Sequence, residues 1–313
     1  MQQPEAYVYA SGSPWKLGGL TSKQLAKSVW REMMVDNILG QAAQLAYFYL
    51  FAIFPLGIFL SALIGVLAGA DSQMARRLTR EILQVLPPSA GELMRTTIHQ
   101  SLVASGNGKL VFGILVALLS ATSGMSAMMD TLNIVFDVRE SRSLIKQKGI
   151  ALLLTVALGV LVSVAVFLIT LGGDVATAVA SGVLLPVWVV LQYPVAILFL
   201  LLSFSLVYRY APDMEGGRWR PFTPGSVTGL SLCIAASFGL RVYLQHFKGY
   251  SDYGNIGAVM VLMLWFYIAG MAFLIGGEVD AIIDRAATGR EKHRRGGRAS
   301  HGSAERKAGK RAA

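Results

Sequence analysis

Residues 150–171 read IALLLTVALGVLVSVAVFLITL, and this stretch decides the fold. From Ile150 to Leu171 there is no Asp, Glu, Lys or Arg. A helix rises about 1.5 Å per residue and the hydrocarbon core of a bilayer is about 30 Å thick, so about 20 apolar residues suffice to cross it. The run is too long and too uniformly apolar for the face of a soluble helix. Its small polar residues, Thr155 and Ser163 with Gly159 between them, fall on one face and suit close helix packing.

Comparable runs occur on both sides of it. The apolar stretches at Ile38–Ala68, Leu110–Ile134, Leu184–Tyr208, Ser226–His246 and Ile256–Ile283 raise the expectation to about six transmembrane helices, an all-α polytopic membrane protein. Composition agrees: 54% of the residues are hydrophobic and 15% charged, against roughly 25% charged in soluble domains. Pro55 predicts a kink in the first span, and Pro186 and Pro194 predict the start and a bend of the fourth. Gly225 and Gly229, continued by Ala236 and Gly239, form a small-residue face on the fifth; Gly270 and Gly277 lie two turns apart on the sixth.

Three segments lie outside this pattern. Residues 1–36 form an N-terminal segment, a loose tail over 1–20 followed by a short amphipathic helix over Gln24–Val35. Residues 37–284 form the membrane domain. Within it, 71–109 carries Met74, Leu78, Ile82 and Val85 at helical spacing among Arg76, Arg77, Arg80 and Glu81, until Pro87 and Pro88 break the pattern. It reads either as an amphipathic hairpin on the membrane surface or as a solvated helix pair. Residues 285–313 hold ten Lys or Arg, cannot bury a core, and are expected to be a disordered basic tail. The first apolar run is too long for a signal-peptide core, so no cleavable leader is expected.

An even number of spans puts both termini on one side, and loop charges choose the side. Arg139, Arg142, Lys146 and Lys148 follow span two; Arg209, Arg218 and Arg220 follow span four. The loop after span three has no Lys or Arg, and the loop after span five has Lys248 alone. Both termini are therefore expected in the cytoplasm, although the five basic residues of 71–109 oppose this.

Polar groups inside a bilayer are costly, so their positions carry information. Asn37, Gln41 and Gln44 follow one another at helical spacing on span one, beside Asp36. Ser123, Ser126, Asp130, Asn133 and Asp137 share a face of span two; Arg209 ends span four, and Glu278 and Asp280 lie near the end of span six. With the topology above, all fall in the cytoplasmic half. They suggest a polar vestibule in which Arg209 faces one or more of Asp130, Asp36 and Glu278. The competing reading is that helix-end charges such as Asp36, Asp137, Asp280 and Asp284 merely reach headgroups or water, and that Gln41, Gln44, Asp130 and Glu278 hold helices together.

The strings Tyr208-Arg209-Tyr210-Ala211-Pro212-Asp213, Pro224-Gly225, Tyr253-Gly254-Asn255-Ile256-Gly257-Ala258, Leu264-Trp265-Phe266-Tyr267 and Gly276-Gly277-Glu278-Val279-Asp280 resemble the YihY/virulence factor BrkB family. So do Ala42-Ala43-Gln44-Leu45-Ala46-Tyr47-Phe48 with Phe54-Pro55-Leu56, and Ser123-Gly124 with Leu132-Asn133. Asn255 and Gly277 stand where serine and alanine are commoner. The resemblance covers roughly residues 30–285 and implies a multi-pass protein of the bacterial inner membrane. It implies links to serum resistance and to envelope lipid or lipopolysaccharide export, and carries an old ribonuclease label. Arg209, Asp213, Tyr253 and Glu278 match its motifs.

Three functions follow as expectations. The first is a transporter or lipid-handling protein whose substrate pathway is drawn from Gln41, Gln44, Asp130, Asn133, Arg209, Asp213, Tyr253 and Glu278, with the basic tail attracted to anionic lipid. The second is a non-transporting scaffold that binds an envelope protein partner through the tail or the 71–109 segment. The third, least supported, is a ribonuclease: His99, His246, His293 and His301 are scattered, and there is no metal-ligand spacing and no platform for a nucleic acid. The lone Cys233 excludes an internal disulfide. No phosphate-cradling loop, catalytic residue, metal or cofactor is expected; the oligomeric state stays open.

Overall fold

The computed structural model describes residues 13–51, 107–170, 184–214, 219–246 and 254–289. Every regular element among them is helical: a 3-10 turn at Pro14–Gly19, α1 Ser22–Val35, α2 Ile38–Phe51, α3 Asn107–Val135, α4 Leu144–Thr170, α5 Leu184–Tyr210, α6 Pro224–His246 and α7 Gly254–Thr288. Among the described residues, four stretches, Leu144–Ile169, Val190–Tyr210, Pro224–His246 and Val259–Thr288, are long and apolar enough to cross a membrane. Pro55 and most of the 71–109 segment lie outside the described residues, as do 290–313.

α3 packs on α4, α4 on α5, α5 on α6, α6 on α7, and α7 returns to α3, so these helices close a ring. α2 lies against α3 and α7. Gln41 approaches Thr131 of α3, Tyr49 sits over Gly124 of α3 with its ring tilted against that of Phe266 of α7, and Ala42 and Leu45 flank Gly270. The core is densest at one end of the ring, around Ile38, Leu45, Met129, Leu132, Val207, Tyr208 and Leu274. Elsewhere the outer faces are apolar: Leu153, Val156 and Val160 of α4 and Val190, Tyr193 and Ile197 of α5 are all exposed. So large an apolar surface requires lipid around it.

The α6–α7 crossing explains the glycines. A Cβ on Gly276 would sit 2.6 Å from the Gly225 carbonyl and 2.8 Å from the Gly229 Cα, with the Tyr208 hydroxyl closer still. Backbones meet here, as small residues in membrane helices allow. The Tyr208 hydroxyl donates to the Phe273 carbonyl at 2.5 Å, tying α5 to the same crossing. By contrast, a Cβ on Gly159 or Gly239 would meet nothing within 4 Å, so the faces expected to continue through them make no such contact.

The N-terminus departs from the expectation of a loose tail up to residue 20. Leu17 and Gly18 take positive φ of 50° and 61°, and Gly18 is pressed against the Ile283 carbonyl and Ala286 at the end of α7. Only glycine fits there. α1 then starts at a capping box in which Thr21 and Gln24 satisfy each other's backbone N–H groups. Leu25, Val29, Glu32 and Met33 turn inward, and α1 packs on α7. Asn37, at φ 50°, closes α1, and its carbonyl accepts the first turn bond of α2 from Gln41.

Candidate functional site

The ends of α3, α5 and α7 and the starts of α2, α4 and α6 meet at one end of the ring, and most of the polar residues gather there. The geometry begins with the stop of α3. The N–H of Val138 donates to the Asn133 carbonyl at 2.9 Å and that of Asp137 to Ile134 at 3.1 Å, with Asp137 at φ 54°. This is the Schellman pattern, with aspartate tolerated in the left-handed position. It turns the chain sharply, so that Glu140 comes back beside Asn133.

Asn133, 5% exposed, then joins two loops. Its Nδ2 donates to Glu140 Oε2 at 2.9 Å, and its Oδ1 accepts the Asp213 backbone N–H at 2.8 Å. Arg142 donates from Nε and a terminal nitrogen to the two oxygens of Glu140, at 2.6 and 2.7 Å, and reaches the Ala211 carbonyl at 2.9 Å. Its Nε is 3.4 Å from Asp213 Oδ1. The other oxygen of Asp213 accepts from the N–H and hydroxyl of Ser141, at 2.7 and 2.5 Å. The α3–α4 and α5–α6 loops are thus fastened by a bidentate ion pair and its flanking hydrogen bonds.

Burial pushes the Glu140 carboxyl upward, but the Arg142 and Asn133 donors outweigh it and hold the group below its ordinary 4.5. Asp213 behaves alike: burial raises it, and the Ser141 donors and the Arg142 charge bring it below 3.8. Both carboxylates stay ionised, as a structural clamp requires.

A second group joins α6, α7 and α3. Asp280 Oδ1 accepts the Gly225 N–H at 2.7 Å, so this acid caps the first turn of α6, where the helix dipole also favours a negative charge. Thr223 and Ser226 complete the cap by exchanging bonds at 3.1 and 3.0 Å. Glu278 is fully buried, 3.6 Å from Arg285 on the same helix; Arg285 also approaches the Val135 carbonyl at 3.4 Å, one of the orphan acceptors at the end of α3.

The third group is open. Asp130 is exposed on α3 and accepts from Gln147 of α4 at 3.0 Å. One turn deeper, Lys148 of α4, also exposed, donates to Ser126 at 3.0 Å. Across on α2, Gln41 Oε1 is 3.3 Å from the Thr131 hydroxyl, and Gln44, one turn on, is exposed. A carboxylate and an ammonium therefore lie along the α3–α4 pair, and two amides lie on α2, which meets α3 at Thr131.

The expected pathway residues thus separate. Asn133 and Asp213 belong to the loop clamp, Glu278 to the buried pair, and Gln41, Gln44 and Asp130 to the open group. Arg209 is half-buried in the last turn of α5, its guanidinium carbon 5.5 Å from the Tyr210 ring centre. Tyr253 lies outside the described residues. Sequence reading missed Glu140 and Ser141, and took Arg142 only for a topology charge. An acid and a base two residues apart, just past a polar helix end, was the available signal.

The sequence pattern of the virulence factor BrkB family matches residues 29–300. The chain belongs to this family. Among its relatives, YfkH of Bacillus subtilis (strain 168), named as ribonuclease-like, is 35% identical over 79% of this chain and 90% of its own length. The UPF0761 membrane protein Smlt0865 of Stenotrophomonas maltophilia (strain K279a) is 23% identical over 81% of this chain and 59% of its own. A UPF0761 membrane protein of Xanthomonas oryzae pv. oryzae (strain PXO99A) is 26% identical over 79% of this chain and 58% of its own. The chain therefore spans about three-fifths of these UPF0761 relatives. No solved structure matches it. Among the described residues, no three His, Cys, Asp or Glu gather to hold a metal ion.

Proposed function

We propose that this BrkB-family chain is a transporter or lipid-handling protein of the bacterial inner membrane that receives a polar lipid headgroup at the junction of α2, α3 and α4. The observation that carries this reading is the open group. Asp130 and Lys148 are exposed on the α3–α4 pair, where most outward residues are apolar, and α2, which meets α3 through Gln41 and Thr131, carries Gln44 exposed. Charges in that position are costly unless something polar meets them. A mixed-sign border suits a headgroup presenting a phosphate toward Lys148 and a hydroxyl or amine toward Asp130. The clamp and the Asp280 cap then hold the surrounding helix ends fixed.

This reading includes six spans, with α2 and α3 joining the four long apolar helices, and an amphipathic segment at 71–109 across the membrane. The polar end and both termini lie in the cytoplasm, as the loop charges favour. The basic tail adds attraction for anionic lipid, at about 1 kcal/mol for each nearby charge. The ribonuclease-like name of YfkH is not carried over to this chain, which we read as non-enzymatic.

Native mass spectrometry of the protein from mild detergent tests the reading. Wild type is expected to retain a defined phospholipid that a folded Asp130→Asn, Lys148→Gln variant releases. Equal retention by both would overturn the headgroup site.

A further inference from the structure

α1 presents two faces. Leu25, Val29, Glu32 and Met33 turn toward the core, and α1 packs on α7. The opposite face carries Trp30, 65% exposed, and Met34, 51% exposed, one turn apart. Beside them runs a stripe of Lys23, Lys27 and Arg31, each one turn from the next and all exposed. Glu32, the acid of this helix, is buried on the inward side, where it pairs with the neighbouring Arg31 at 3.1 Å. The outward face is therefore apolar and cationic, with no carboxylate of α1 on it.

Neighbouring elements point to what covers it. Exposed aromatics mark this end of the ring: Trp15 in the 3-10 turn, Tyr210 at the last residue of α5, and Trp219 and Phe222 just before α6. Leu144 and Ile145, the first residues of α4, are also exposed, next to Lys146 and Lys148. Indole and phenol rings at the ends of membrane helices sit at headgroup level. α1 passes into α2 through the two-residue turn at Asp36 and Asn37, and so begins at that same level.

We infer that α1 is an interfacial arm that binds the anionic lipid of its own leaflet. Trp30 and Met34 enter the boundary between headgroups and acyl chains, and Lys23, Lys27 and Arg31 meet lipid phosphates. A helix with basic residues beside a large aromatic and a thioether lies in the interface in this way. The occupant is a lipid surface because the face pairs apolar bulk with positive charge at the level of the aromatic ends. The inference needs only that the long helices span a bilayer, and is independent of the headgroup site. Because the 3-10 turn and α1 hold the last turns of α7, through Gly18 against the Ile283 carbonyl, lipid bound here also braces that helix end.

Site-directed spin labelling of the full chain in nanodiscs tests it. The background carries Cys233→Ser, with one label at Trp30→Cys, Met34→Cys or Gln24→Cys. In phosphatidylcholine mixed with phosphatidylglycerol, labels at 30 and 34 are expected to collide with oxygen more than with a water-soluble nickel chelate, and the label at 24 the reverse. Adding Lys23→Gln, Lys27→Gln and Arg31→Gln is expected to weaken the inserted state about fivefold for each cation removed, moving the label at 34 toward the chelate. A Lys23→Gln, Lys27→Gln pair, which leaves the Arg31–Glu32 ion pair in place, separates lost lipid contact from lost folding and is expected to weaken insertion in the same way. Chelate access at 30 and 34 in the unsubstituted background would overturn the inference. So would burial from both colliders, the mark of a protein partner, or insertion indifferent to the three cations and to phosphatidylglycerol.

Discussion

Replacing Arg142 by alanine removes the centre of the loop clamp. The guanidinium is 6% exposed and makes two short bonds to Glu140, one to the Ala211 carbonyl, and an ion pair at 3.4 Å with Asp213. Breaking a buried pair by deleting one partner costs about 3–5 kcal/mol, most of it from the charge left behind. Glu140 keeps 23% and Asp213 12% of its side-chain exposure, and Asn133 and Ser141 still donate to them, which returns part of the loss. The expected cost is about 2–4 kcal/mol. Lysine restores charge without the planar fork, so Arg142→Lys is expected to fall between alanine and wild type. Cys233 is the sole cysteine and is partly buried, so thermal unfolding in detergent can be followed by its reaction with a thiol-specific dye. Unfolding of Arg142→Ala at the wild-type temperature would refute the clamp.

The clamp carries a pH dependence with a definite sign. Glu140 and Asp213 are held below their ordinary 4.5 and 3.8, so their contribution is complete above those values and is lost as pH falls through the lower folded-state values. Wild type is expected to lose thermal stability on acidification below about pH 4.5, and Arg142→Ala to lose less over the same range. Gly276→Val forces a side chain into the Gly225 and Gly229 backbones and is expected to destabilise by about 1–3 kcal/mol or more, read by the same dye. Gly18→Ala meets both a strained φ and the Ile283 carbonyl; faster hydrogen exchange over residues 14–35, with α4 unchanged, is the expected result. Asp280→Ala removes the acceptor of the Gly225 N–H and is expected to cost about 1 kcal/mol, with exchange increasing first at the start of α6.

The long helices were legible because hydrophobic runs of bilayer length have few other solutions. Expected spans at Leu110–Ile134, Ile150–Leu171, Leu184–Tyr208, Ser226–His246 and Ile256–Ile283 match helices that begin and end only a few residues away. Most of the helices extend further because caps, not hydropathy, end them: Asp137 terminates α3, and Thr223 and Asp280 start α6. The clustering of polar groups at one end was legible from topology. Their partners were not, since Asn133 meets Asp213 across 80 positions of sequence. Their place at span ends left Asp137 and Asp280 readable either as vestibule residues or as charges that reach headgroups or water; in the fold Asp137 takes the left-handed position that stops α3, and Asp280 caps a neighbouring helix. The docking of residues 14–19 was invisible because a short stretch with Pro and Gly has no periodicity, and its fit depends on the bare Gly18 backbone.

The central claim, a lipid headgroup received between α2, α3 and α4, is met most directly by placing a photoreactive side chain at Gln44 and irradiating cells. The expected result is a covalent phospholipid adduct, identified by mass spectrometry and lost when Asp130→Asn and Lys148→Gln are added. A folded protein that forms no lipid adduct at position 44, or forms it equally with both substitutions present, would contradict the account.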